Sequence, residues 1–105
     1  MPSDFQESVY SIAQKIPAGR VSTYKEIARG VHCCSPRAIG QALKRNPYPI
    51  KVPCHRVICS NGKVGGYKGR TTRAAKNEKL RLLRREGILI VNGNIQNLSE
   101  ILFRF

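Results

Sequence analysis

The chain has 105 residues, enough for one compact domain but not for two. Hydrophobic residues make up 41%, which excludes a disordered chain, and no apolar run approaches the ~20 residues of a membrane span. Lys and Arg number 19 against 6 acidic residues, so the net charge of +13 points to polyanionic partners. DNA, RNA and anionic membrane surfaces share that chemistry. Met1 to Asp4 carry neither the basic flank nor the apolar core of a signal peptide, and the expected location is the cytoplasm, in association with the nucleoid. Reduced thiols are then expected at Cys33, Cys34, Cys54 and Cys59. These cysteines lack a paired C-x-x-C, and His32 and His55 are not at finger spacing, so no metal is expected.

In chain order, Ser3-Asp4 opens a helix with Phe5, Val9, Ile12, Ala13 and Ile16 on one stripe, ended by Pro17-Ala18-Gly19. Ser22-Thr23 caps a second helix from Tyr24 to about Arg29, with Ile27 and Ala28 inward and Gly30 as its breaker. After a turn through His32-Cys33-Cys34, Ser35-Pro36 starts a third helix running to about Arg45, with Ile39, Ala42 and Leu43 inward. Two short helices joined by a short turn read as a helix-turn-helix. Asn46 to Pro49 is a rigid turn, and Ile50 to Ile58 reads partly as a strand interrupted by Pro53. Asn61-Gly62 is a hairpin signal, with Val64 to Tyr67 as the return strand, a wing beside the helix pair. Gly69 to Asn77 reads as a basic connector, and Lys79 to Glu86 as a helix closed by Gly87. A small hairpin about Asn92-Gly93 and a short apolar tail from Leu98 to Phe105 complete the chain. The fold class is therefore mostly α with a small β-hairpin, a winged helix-turn-helix DNA-binding domain.

The charge is concentrated. From Arg37 to Arg85 there are fourteen Lys or Arg and one acid, Glu78. This favours a nucleic-acid face, in which the third helix offers Arg37, Gln41, Lys44 and Arg45 to phosphates or base edges.

The segment Pro53-Cys54-His55-Arg56-Val57 carries the sharpest chemistry. A cysteine attacks as its thiolate and needs a base or a cation beside it. Adjacent residues on an extended strand point to opposite faces, so adjacency alone does not make Cys54 and His55 a dyad. The surrounding segments IPAGRVSTYKEIA, SPRAIGQALKRNP, PIKVPCHRVICSNGKVGGYKG and LRLLRREG occur in this order, over most of the chain from about Phe5 to Ile90. In these residues the sequence resembles the C-terminal catalytic domain of the O6-alkylguanine-DNA alkyltransferases.

The resemblance implies direct, single-turnover transfer of an alkyl group from guanine O6 to Cys54, without a cofactor, on double-stranded DNA containing O6-alkylguanine. His55 matches the general base acting through water, Glu86 the carboxylate that orients it, and Asn46 the brace of the turn before the reactive loop. Tyr24 matches a proton donor to the base, and Arg37 the finger that fills the stack when guanine is extruded. Thr23, Ser35, Gln41, Lys44 and Arg45 are expected on the DNA, and Pro49, Val57, Tyr67 and Lys68 about the substrate pocket. Residues 1–90 would form the catalytic and DNA-binding domain, and 91–105 an extension without an assigned role or counterpart. The family's usual N-terminal domain is expected to be absent, and the protein to act as a monomer away from membranes. Lys68 stands where the family often has serine, and the connector from Thr71 to Asn77 is longer than usual. Two other classes compete. Non-catalytic lesion sensors share the fold but lack the acceptor cysteine, which is present here. A helix-turn-helix regulator would bind one operator in preference to duplex DNA at large.

Overall fold

The computed structural model describes residues 3–48, 50–68 and 70–105. Helix α1 (Asp4–Ala13) starts at a capping box, in which Ser3 Oγ accepts from the Gln6 amide and Gln6 Oε1 accepts from the Ser3 amide. Its buried stripe is Val9, Tyr10 and Ala13, continued by Ile16, while Phe5 stays exposed. Tyr10 is inside because its hydroxyl donates to Ala42 O at 2.7 Å, tying α1 to the third helix. Strand β1 (Ser22–Thr23) runs directly into α2 (Tyr24–Gly30), capped by the Thr23 hydroxyl.

Gly30 does not break α2 but ends it from within. The reversal falls at His32, at φ +58. A side chain at Gly30 would meet Phe105, since an added Cβ would lie 3.2 Å from that residue's Cβ. Helix α3 (Pro36–Lys44) begins at Ser35, whose hydroxyl accepts from the Ala38 amide, and buries Ile39, Ala42 and Leu43. Helices α1, α2 and α3 pack on one another around the first of two apolar clusters, which also holds Val52, Cys54, Val57 and Tyr67.

The region after α3 departs from the sequence reading. The strand expected over 50–58 is confined to β2 (Val57–Ile58), because Pro53 offers no amide to a ladder. The backbone turns on itself instead. The amides of Cys54 and Arg56 donate to Val52 O and Pro53 O, giving a 3-10 turn over Cys54–Arg56. Strand β2 pairs in parallel with β1, Ser22 opposite Val57 and Thr23 opposite Ile58, and not with the 64–67 segment in a wing. The chain does turn tightly over Cys59–Lys63, but Val64 then donates to Gly93 O, so this segment joins the terminal hairpin.

Helix α4 (Arg73–Arg85) begins well before the expected Lys79, with Thr72 as its N-cap, and so occupies much of the supposed connector. Gly87 at φ +87 closes it in a Schellman arrangement, with Gly87 N donating to Arg84 O and Ile88 N to Leu83 O. Strands β3 (Ile90–Val91) and β4 (Asn94–Ile95) form the expected hairpin about Asn92-Gly93. Short helix α5 (Leu98–Ile101) follows, and the tail lies along β1. Phe103 N donates to Val21 O, Ser22 Oγ to Phe103 O, and Arg20 Nη2 to Leu102 O. Val21, Ile58, Leu83, Ile88, Ile90 and Ile95 form the second apolar cluster. The architecture is mostly helical with two small sheets, and Cys54 to Ile58 lies on the seam between the clusters. No helix among the described residues is long and apolar enough to cross a membrane.

Candidate active site and nucleic-acid interface

A 3-10 turn over Cys54–Arg56 replaces the extended strand in which adjacent residues point to opposite faces. Cys54 is 8% exposed and His55 is 2% exposed. Burial pushes the Cys54 thiol up, while the Asn46 hydrogen bond and the charges of Lys79 and Lys68 pull the other way. The rise prevails, so the resting group is a neutral thiol that requires a base. Burial likewise pulls His55 below its ordinary value, against the raising influence of Glu86. At neutral pH the ring is uncharged.

Glu86 determines which nitrogen carries the proton. Its Oε2 lies 2.9 Å from His55 Nε2, and a carboxylate only accepts, so Nε2 donates. Nδ1 is then the basic nitrogen. It is buried and has no hydrogen-bond partner among the described residues. Burial raises the Glu86 carboxyl, but hydrogen bonds from Arg56 and His55 outweigh it and hold the group below its ordinary value. Arg56 supplies most of that grip, donating from Nε to Oε1 at 2.9 Å and from Nη2 to Oε2 at 2.7 Å. Its Nη1 donates to Ile16 O at 2.8 Å, which anchors the group to the chain after α1.

Asn46 follows the C-cap of α3. Its Nδ2 reaches Tyr48 O, Val52 O and Cys54 Sγ, the last at 3.8 Å, and its Oδ1 accepts from the Tyr48 amide. Above the sulfur is a cavity of about 180 Å³ lined by residues that include Tyr24, Gly40, Lys44, Tyr67 and Lys68. Burial pushes both tyrosine hydroxyls up to about 12, so both remain protonated.

Tyr24, Tyr67, Lys68 and Cys54 line this cavity, Asn46 is bonded to the sulfur, and His55, Glu86 and Arg56 form a separate network that meets the cavity through the chain at Cys54-His55. Arg37, Gln41, Lys44 and Arg45 are exposed on α3. Ser35 is half-buried, its hydroxyl committed to the cap of α3. Thr23 is not brought to that outward face. It is buried, and its hydroxyl is used by α2. The Val57 side chain is also buried away from the cavity, in the first cluster, and its carbonyl accepts from Lys79 Nζ at 2.7 Å. Pro49 lies outside the described residues.

Two residues had no part, or a lesser one, in the sequence reading. Arg56, named above only as a member of the pentapeptide, holds Glu86 through two hydrogen bonds. Lys79 is fully buried, and its ammonium donates to Val57 O, Val64 O and Gly66 O. Burial brings its pKa down to about 8, which leaves it charged at neutral pH. Its signal was present in the spacing Ala75-Lys79-Leu83, a lysine on the inward stripe of a helix.

Residues 4–88 match a family model described as the DNA-binding domain of 6-O-methylguanine DNA methyltransferase, whereas the sequence reading expected the C-terminal catalytic domain. A methylated-DNA–protein-cysteine methyltransferase of Archaeoglobus fulgidus is 44% identical over 87 residues, which is 82% of this chain and 58% of that protein. Among solved structures, S. pombe Atl1 in complex with damaged DNA containing O6-carboxymethylguanine is 37% identical with a TM-score of 0.82, and the likeness covers 100% of both chains. That likeness includes the tail after Ile90, to which the sequence alone assigned no counterpart. Mycobacterium tuberculosis OGT in complex with DNA is 40% identical with a TM-score of 0.74, over 82% of this chain and 51% of that one. The chain spans between 35% and 58% of the length of the first curated relatives it matches. With four-fifths of its residues inside the family model, the chain belongs to the 6-O-methylguanine DNA methyltransferase family.

Proposed function

We propose that this domain binds duplex DNA through α3 and moves an alkyl group from guanine O6 to Cys54, carrying catalysis as well as DNA binding. The observation that carries the reading is the Cys54 thiol on the cavity, beside a neutral, buried histidine whose Nε2 is fixed by Glu86 and Arg56. A thiol raised by burial is a poor nucleophile until deprotonated. Nδ1 of His55 has the lone pair for that task and acts through a bridging water. The charged imidazole formed in the transfer is stabilised by Glu86, and Arg56 keeps Glu86 ionised.

The target oxygen lies inside the base stack, so the nucleotide must leave the duplex to reach Cys54. Arg37, in the first turn of α3 and exposed, is the side chain suited to enter the gap. Lys44 and Arg45 then neutralise phosphates, with Gln41 between the two ends of the helix. Tyr24, protonated on the cavity wall, gives a proton to the leaving guanine. Asn46 holds the turn that presents the sulfur. The thioether product is not reversed by thiols, so each molecule acts once.

The full-length match to S. pombe Atl1 on damaged DNA favours a second reading, recognition of the lesion without transfer. Intact-mass analysis after incubation with duplex DNA containing O6-methylguanine separates the two. One added methyl group, mapped to Cys54, is expected. An unmodified protein in stable complex with the lesion would support the sensor, and methylation at Cys33, Cys34 or Cys59 would overturn the assignment of the acceptor.

A further inference from the structure

The charge on the walls of the reactive cavity is unbalanced. A second hollow of about 240 Å³ also reaches Cys54, so space remains beside the sulfur for a substituent longer than methyl. Lys44 and Lys68 line both hollows, and Arg70 lines the first. Among the described residues no carboxylate lines either one. Lys68 Nζ is held 5.2 Å from the centre of the Tyr67 ring, a cavity wall, with its backbone at φ +54. Its one ion pair among the described residues is with Glu78 at 3.7 Å, long and half-exposed. Lys44 and Arg70 have no carboxylate partner among the described residues. The apolar walls supplied by Leu43 and the two tyrosine rings strengthen any charge interaction made between them.

We propose that this cavity prefers alkyl adducts that carry a negative charge, a carboxymethyl group on guanine O6 being the representative substrate. The inference rests on the transfer reading above and concerns the choice of substrate. Lys68 is its specificity-determining residue, with Lys44 in support. In the reaction, Cys54 Sγ bonds to the methylene carbon as the carbon–O6 bond breaks, and the electron pair stays with guanine. The proton lost by the thiol is balanced by the one the guanine gains. The carboxylate is unchanged and ends on the thioether, facing the lysines.

Size and charge are separated by comparing O6-carboxymethylguanine with its neutral isostere, O6-carbamoylmethylguanine. O6-methylguanine serves as the reference, all in matched duplexes under single-turnover conditions at saturating DNA. The parental protein should transfer the carboxymethyl group faster than the carbamoylmethyl group. That ratio should fall about fivefold in Lys68→Gln, the scale of a screened ion pair at the rim of a site, and further when Lys44→Gln is added. Both side chains are exposed, and thermal unfolding of the variants checks that the fold is retained. If both lysines serve only as phosphate clamps, all three adducts will slow together and the ratio will stay put, which overturns the inference alone. A parental ratio of one does the same. No transfer from any of the three duplexes would overturn the transfer reading and this inference with it.

Discussion

At the scale of single residues, the site depends on keeping a proton in the right place. Glu86 and Arg56 hold His55 as the Nε2–H tautomer, and burial keeps the ring neutral. His55→Ala or Glu86→Gln should therefore slow single-turnover transfer by about a hundredfold while duplex affinity changes little. Parental rates in both variants would remove the relay. The pH dependence has a defined sign. His55 is held below 6.5 in the fold, so the unfolded chain takes up a proton first as pH falls. Its contribution to stability is present above 6.5 and is lost as pH falls from there through the lower folded value, where the basic form needed for transfer is lost too. The rate should hold through neutrality and drop only on the acid side, and a drop that begins above neutrality would contradict a neutral buried base. Lys79 works differently, as a brace. Lys79→Met would leave three carbonyls without their shared donor and should cost about 3 kcal/mol, read as a lower urea midpoint at unchanged slope. The motif singled out Cys54 and His55, and the resemblance paired His55 with Glu86, which does lie within hydrogen-bond distance of it. The hold of Arg56 on Glu86 was not legible, because the two meet only after the chain has folded back from α4.

At the scale of elements, α3 has two faces with different demands. Its inner face is ordinary packing, Ile39, Ala42 and Leu43, legible from periodicity and from the Ser35-Pro36 start. Gly40 is the exception. A side chain there would touch nothing within 4 Å, so the helix does not need glycine for packing, yet the residue lines the cavity. Gly40→Ala should stabilise the protein by about 0.5–1 kcal/mol through helix propensity. The added methyl narrows the reactive cavity, so transfer from O6-benzylguanine should slow at least about tenfold, and transfer from O6-methylguanine much less. Equal benzyl and methyl effects would place Gly40 outside the path of the alkyl group. Helix α4 was half legible. Its C-terminus is written in Gly87, but its first turn lies in a basic run, where Arg73 and Lys76 mask the signals of Thr72, Ala74 and Ala75.

At the scale of the whole molecule, the tail closes the structure. Phe103 packs against the first cluster, and its backbone bonds continue β1 on the side away from β2. Arg20 stacks over its ring at 5.2 Å. Phe103→Ala should lower stability by about 1–2 kcal/mol, less than for a fully buried ring because Phe103 is only partly covered. The loss is measurable as a shift in thermal midpoint. An unchanged midpoint would mean that the tail rests on the surface without supporting β1.

What the sequence determined by itself is local. The caps at Ser3, Thr23 and Ser35, the turn at Asn92-Gly93 and the helix end at Gly87 each need only neighbours a few residues away, and each was readable. The chemistry expected of Pro53 to Val57 came instead from the resemblance of the surrounding segments, since adjacency alone does not make Cys54 and His55 a dyad. The tertiary structure decided everything that requires a distant partner. It paired β2 with β1 in parallel where a hairpin was expected, since the second strand of that hairpin is claimed by Gly93 and Asn94. It turned Thr23 inward, and it gave Lys79 three carbonyl acceptors from separate segments. Propensity and spacing report what a segment does alone. Burial requires each polar group to find a partner wherever the chain brings one, and no short stretch of sequence carries that information.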